Sequence, residues 1–271
     1  MKKFLITILT LCFFFNGQTA LATNTYATVL NGTTQYWNIA DVSQTGLDGM
    51  TNLTIEFWVN FSTLPINQGR TFAITKWSNS VRSYSVDFNP GADGNNKMRF
   101  QVTSDGTNFT TATSNGDAVS ATGTWYHMAL TFTGATKTIV MYVNGSSIAL
   151  THSVQNAGSV QDGDAPFRVS TDGEATTEYY LPASVDDVRI WNDVRSAAQI
   201  AANYNCSLDG TETGLVGYWR FDNNGNDSTA NANNLTNVNS ATFTNTGLPF
   251  TNSCTVAAAP IPQDSYQIEE E

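Results

Sequence analysis

The feature that most constrains this chain is a two-residue alternation of apolar and polar side chains, sustained from residue 25 to about 221. Alternation with period two sends successive side chains to opposite faces of an extended strand. Leu53, Ile55, Phe57, Val59 and Phe61 interleave with Thr54, Glu56, Trp58 and Asn60, the pattern of a half-buried strand. The same alternation carries Tyr84, Val86 and Phe88; Met98, Phe100 and Val102; Tyr126, Met128, Leu130 and Phe132; and Ile139, Met141 and Val143. Asn144-Gly145 follows at once. That dipeptide tolerates the positive backbone angles of a tight hairpin, so a return strand is expected from Ser147 to Leu150. Further strands are expected at 34–39, 70–77, 107–113, 166–171, 184–191 and 214–221, divided by turn signals such as Asn89-Pro90-Gly91 and Ser104-Asp105-Gly106.

Many short strands with polar turns predict an all-β chain, a two-sheet antiparallel β-sandwich or jelly roll. One short helix is expected near 196–204. Ser196 with Gln199 three residues on forms a capping box, and Ile200 and Tyr204 would lie on the sandwich. Beyond Asp222 the chain turns rich in Asn and Thr, and Leu235 and Phe243 allow one or two more strands. The domain is expected over 23–250, followed by a disordered tail over 251–271.

The first 22 residues read as a secretory signal. Lys2 and Lys3 precede the apolar run Phe4 to Phe15, and Ala20-Leu21-Ala22 is a small-x-small cleavage site. The apolar run is too short to span a bilayer. The chain is therefore expected to be secreted and not inserted in a membrane. Its net charge is −11, and loss of the two leader lysines leaves −13. Such a balance repels nucleic acid. Charged residues make up only 13% of the chain, so the polar surface must be mostly Thr, Asn and Ser. Cys206 and Cys254 remain after cleavage and are expected to form one disulfide in an oxidising compartment.

Five segments in register resemble one family. They are Leu30-Asn31-Gly32 before Gln35-Tyr36-Trp37; Leu53 to Val59; Trp125 to Ala129; Met141 to Gly145; and Val185-Asp186-Asp187-Val188-Arg189-Ile190-Trp191 running into Arg195-Ser196. Their order and spacing resemble the laminin-G-like branch of the concanavalin A-like lectin/glucanase superfamily, over roughly 26–221. The resemblance implies a jelly roll that binds glycans or proteins and often holds a structural calcium ion at its rim. The family opens with Phe-Asp-Gly where this chain has Leu30-Asn31-Gly32, so one ligand charge is lost. Asp186, expected on the same face as Val188 and Ile190, is the leading metal-ligand candidate, with Asn31 second. A carboxylate on an apolar face must be paired, metal-bound or hydrogen-bonded to backbone N–H groups. Gly214 to Asp222 resembles the strand that opens such domains, yet here it comes last. It is expected to close the sandwich.

Catalytic signals are weak. Related glucanases place carboxylates two apart on one strand, so that they share a face, and no Glu-x-Asp-x-Glu triplet occurs here. Asp186 and Asp187 are adjacent and would point to opposite faces. His127 reads as a surface or cross-strand histidine rather than a base. Sugar binding needs aromatic faces beside Asn or Asp groups. The ligand-binding candidates are Trp58 with Glu56 and Asn60 beside it, and Trp77 at the end of its strand; Trp37, Tyr84, Tyr179 and Tyr180 are weaker. Arg99 and Arg189 alternate outward, as solubilising groups would. The leading reading is a non-catalytic glycan-binding or adhesion module whose partner is a glycan or an extracellular protein. The alternatives are a structural or protein-binding laminin-G-like domain and a glycoside hydrolase or lyase of the same superfamily.

Overall fold

A computed structural model describes residues 24–78, 81–91, 95–173, 179–245 and 248. The strands are β1 (Tyr26–Val29), β2 (Tyr36–Ile39), β3 (Asn52–Phe61), β4 (Thr71–Trp77), β5 (Arg82–Phe88) and β6 (Met98–Thr103). They continue with β7 (Phe109–Ser114), β8 (Trp125–Thr133), β9 (Thr138–Val143), β10 (Ser146–Ser147), β11 (Leu150–Gln155) and β12 (Phe167–Val169). Then come β13 (Ala183–Trp191), α1 (Ala197–Asn203), β14 (Leu215–Trp219), β15 (Thr236–Val238) and β16 (Thr242–Asn245). The first sheet runs β10-β9-β8-β3-β13-β1-β16, with β14 also paired to β13. The second runs β11-β7-β6-β5-β4-β12-β2-β15. The expected all-β sandwich is therefore present, and all its strand pairs are antiparallel.

The alternating apolar residues of both sheets form one interior. Leu53, Ile55, Phe57, Val59 and Phe61 of β3 join Tyr84, Val86 and Phe88 of β5 in one buried cluster. Phe61 meets Phe88 edge to face at 5.0 Å. At about 25 cal/mol per Å² of apolar surface removed from water, rows of this size supply the main driving force for folding. Asn144 and Gly145 take φ of 50° and 76°, and Val143 faces Ser146 across the hairpin. This is the tight turn that the Asn-Gly pair predicts. Helix α1 carries the expected capping box between Ser196 and Gln199. β14 joins β13 of the first sheet, as a closing strand should, and the Asn-rich segment after it adds β15 to one sheet and β16 to the other.

Three expectations about faces need correction. β3 is not half-buried. Thr54, Glu56 and Trp58 are at most 3% exposed, because α1 and the segment after it cover the outer face of the first sheet. Arg189 does alternate outward, but under that cover it is fully buried and solubilises nothing. Asp186 does not share a face with Val188. Asp186 pairs with Trp58 and Arg189 with Glu56, so a bulge sets Asp187 and Val188 against Phe57 alone. Asp187 adopts φ of 50° there. The extra residue reverses the phase of alternation, and Asp186 joins Trp58 on the outer face.

Candidate binding site

The outer face of the first sheet carries a polar cluster under α1. Trp191 Nε1–H donates to Glu56 Oε1 at 2.8 Å, and His127 Nε2 lies 3.4 Å from Glu56 Oε2. Arg189 pairs with Asp187 through Nε and donates from Nη1 to Asn203 O at 3.0 Å and from Nη2 to Cys206 O. Tyr218 O–H donates to Asp187 Oδ2 at 3.1 Å. Burial pushes the Glu56 carboxyl up, but His127, Arg189 and Trp191 outweigh it and hold the group below the usual carboxylate range. Burial pushes His127 down further than Glu56 pulls it up. The cluster thus holds ionised Glu56 beside neutral His127, with Arg189 clamping the segment after α1 onto the sheet. Glu56, expected as a ligand-binding residue, is 2% exposed and serves inside this cluster.

Above it lies a surface depression of about 290 Å³, lined by Trp58, Trp125, Asn144, Tyr204 and Asn205. Four separate segments build it. Trp58 comes from β3 and Trp125 from the start of β8. Asn144 comes from the β9–β10 turn, Tyr204 caps the end of α1, and Asn205 follows it. Trp58 Nε1–H donates to Tyr204 O at 2.9 Å, and the two rings stack at 6.0 Å. Gly145 is needed twice over: its φ is positive, and a Cβ there would sit 3.1 Å from the Tyr204 ring. Asn144 Oδ1 accepts His127 N–H at 2.8 Å, which aims the amide. Asn144 Nδ2 and the Asn205 side chain make no hydrogen bond among the described residues. Trp58 therefore contributes one lining edge, at 3% exposure, rather than an open face. Asn60 pairs with Trp125 across β3 and β8 and flanks the depression.

Trp77 is elsewhere, on the second sheet. It is 5% exposed, with the Arg82 guanidinium 5.1 Å from its ring centroid and Phe109 at 5.8 Å. Trp37 and Tyr84 belong to the core: Trp37 Nε1–H donates to Thr28 Oγ1, and Tyr84 O–H to Leu47 O. Sequence reading missed Trp125, Asn144, Tyr204 and Asn205 as one group. Each carried a local signal for a strand, a turn or a helix face, and none for proximity.

The two metal candidates do not meet. Thr28 pairs with Val185, so Asp186 lies beside Ala27, four residues from Asn31, or roughly 13 Å at the usual strand rise. Asn31 Oδ1 already accepts the N–H groups of Thr33, Thr34 and Gln35. Asp186 is fully buried; its Oδ1 accepts Asp187 N–H, and its Oδ2 makes no well-aligned hydrogen bond. Burial, and then Asp187, push its pKa well above the carboxylate range. One saturated turn and one distant buried carboxyl do not fit a calcium ion, which takes six to eight oxygens. Among the described residues no group of three or more His, Cys, Asp and Glu converges on a metal position. The foreseen disulfide partner Cys254, the leader 1–22 and the tail 251–271 lie outside the described residues.

Comparison with known proteins agrees with this architecture. A laminin-G-type model of the concanavalin A-like lectin/glucanases superfamily matches residues 31–201. A candidate carbohydrate-binding protein from Bacteroides ovatus superposes with a TM-score of 0.61 at 19% identity, covering 84% of this chain. The chain spans 62% of that protein's length. A heptameric SAP-like pentraxin from Limulus polyphemus superposes with a TM-score of 0.56 at 11% identity, covering 86% of this chain and 98% of the pentraxin. No curated protein matches the sequence. With more than half of its length matched and both sheets in place, the chain belongs to the concanavalin A-like lectin/glucanase superfamily, in its laminin-G-like branch.

Proposed function

We propose that this chain is a secreted, non-catalytic glycan-binding module, and that the sugar sits in the depression between Trp125, Tyr204 and Asn144. The observation that carries this reading is the pairing of aromatic surface with the Asn144 Nδ2 group and the Asn205 amide in one hollow of about 290 Å³. Aromatic rings take the apolar face of a sugar, and amides donate to and accept from its hydroxyls. A hollow of that size is at the small end of ligand pockets and suits one or two rings. The superfamily is named for lectins and glucanases, both of which hold sugars. The Bacteroides ovatus protein of the same fold is a candidate carbohydrate binder.

The state of the carboxylates supports a non-catalytic reading. Glycoside hydrolysis needs two carboxyl groups flanking a bond in an open groove. Glu56, Asp186 and Asp187 are at most 2% exposed, and Glu56 and Asp187 are held by Trp191, Arg189 and Tyr218. The export reading rests on the leader pattern of residues 1–22.

A glycan array probed with the purified mature protein tests the function. Binding to a defined subset of glycans is expected, and Trp125→Ala should abolish it without moving the melting temperature by more than a few degrees. A blank array would overturn glycan binding. Full binding by the variant would overturn the placement. Release of reducing sugar from a bound glycan would overturn the non-catalytic reading.

A further inference from the structure

Lys76 is a lysine in a core row. It pairs with Tyr84 on one side and Phe167 on the other, and its side chain is fully buried. A buried ammonium needs compensation for lost hydration. Four oxygens converge on Nζ: Asp41 Oδ1 at 2.6 Å, Asp48 Oδ2 at 2.9 Å, Gly163 O at 3.0 Å and Ala165 O at 2.6 Å. They come from two loops remote in sequence, one after β2 and one before β12. The loops are also joined by Gly163 N–H donating to Asp48 Oδ2 at 3.2 Å and by Val160 N–H donating to Met50 O at 2.8 Å. Gly163 takes its place only because it lacks a side chain; a Cβ would lie 2.7 Å from Val81 Cγ1.

Two carboxylates and two main-chain carbonyls around one buried positive charge supply four of the six to eight oxygens that a calcium ion takes, and water completes the shell on the partly exposed Asp41 side. The expected calcium ligands Asp186 and Asn31 do not assemble such a set, whereas this cradle does and is filled by a tethered ammonium. We infer that Lys76 is a built-in cation that cross-links the 41–48 and 163–165 loops in place of a metal ion, and that removing its ammonium leaves a calcium-binding site. The consequence for the surface is local. Asp41 and Val42 form one wall of a depression of about 410 Å³, and Asp164 and Pro166 form another. Lys76 ties both walls to the core, so this part of the rim needs no free metal to keep its shape.

The test compares wild type with Lys76→Ala and Lys76→Met in three media of equal ionic strength: EDTA with KCl, CaCl2, and ethylammonium chloride. The wild-type melting temperature should be the same in all three. Each variant should melt roughly 10 °C lower in EDTA, the scale expected when one partner of a buried ion pair is lost. CaCl2 should restore at least half of that shift in both variants. Ethylammonium should restore part of it in Lys76→Ala, where the vacated channel admits it, and less in Lys76→Met. Terbium added to the variants should give emission sensitised by nearby aromatic residues, which wild type lacks. Variants whose melting temperatures respond no more to CaCl2 than to KCl would overturn the inference. Variants that fail to fold in CaCl2 as they do in EDTA would overturn it equally, since the inference requires a free ion to replace the ammonium.

Discussion

His127 Nε2 stands 3.4 Å from Glu56 Oε2, with the Trp58 and Tyr204 rings 5.4 and 5.6 Å from the imidazole. The pair links the buried charge cluster to the surface depression, because the backbone N–H of His127 also fixes Asn144. Arg189 and Asp187 of β13 face the same cluster, so its charge state depends on all four groups.

That arrangement makes stability fall on acidification. Burial lowers the folded pKa of His127, against the pull of Glu56. The unfolded chain then takes up a proton near pH ~6.5 that the folded chain refuses, and stability drops below that pH. Glu56 acts in the same direction. Its folded value is depressed, so its contribution is present above the ordinary carboxylate range and is lost as pH falls through the folded value. In an Asp186→Asn background, which removes a buried carboxyl that titrates in the opposite sense, thermal melts between about pH 7 and about pH 5 should show a falling melting temperature. His127→Gln should flatten the slope near the imidazole range. An identical slope in that variant would remove His127 as its source.

Asp186 has the opposite sign. Burial raises its folded pKa, so its protonated form contributes stability at low pH that is lost as pH rises through the folded value. At neutral pH its Oδ2 is a buried acceptor with no well-aligned hydrogen bond, and the Asn24 side chain offsets only part of the effect of burial. Asp186→Asn keeps an oxygen for Asp187 N–H and removes the ionisable group. Urea denaturation should show a gain of about 1–3 kcal/mol at neutral pH, shrinking toward acid. A loss of stability at neutral pH would mean that the ionised carboxylate has a partner.

Arg189 secures the cover of the outer face. It holds Asp187 on the sheet, the carbonyl of Asn203 at the end of the helix and the carbonyl of Cys206 on the segment after it. Arg189→Met leaves a buried carboxylate and two carbonyls uncompensated, and should cost about 3–5 kcal/mol in equilibrium unfolding. Arg189→Met combined with Asp187→Asn should recover part of the loss, because the stranded charge is gone. Additive effects in that double variant would refute the pairing as the cause.

Cys206 is buried at the end of the same cover, and we propose that it pairs with Cys254 in the exported protein. Peptide mapping without reductant should recover the two cysteines in one linked fragment. Cys254→Ser should lower stability by about 2–4 kcal/mol, the usual effect of removing one such link. Two separately alkylated cysteines in the native protein would exclude the bridge.

Much of the fold was legible in the sequence because alternation reports backbone geometry and one buried face directly. The β3 row from Leu53 to Phe61, the Asn144-Gly145 turn and the Ser196–Gln199 box all stand where their residue patterns place them. The site was legible only in fragments. Trp58 and Asn60 were foreseen, while Trp125, Asn144, Tyr204 and Asn205 were not gathered with them.

By itself the sequence determined that two sheets would share an apolar interior, since a period of two admits only one inward face per strand. Tertiary structure alone decided what covered the other face. Polar residues opposite the core read as solvent-facing, yet α1 and its following loop turn Glu56, His127 and Arg189 into a buried cluster. Tertiary structure also decided the phase of β13, because one inserted residue at Asp187 moves Asp186 from the apolar side to the side of Trp58. The physical reason is the same in both cases. Alternation is a local property of extended backbone, whereas cover and register depend on contacts between segments far apart in the chain.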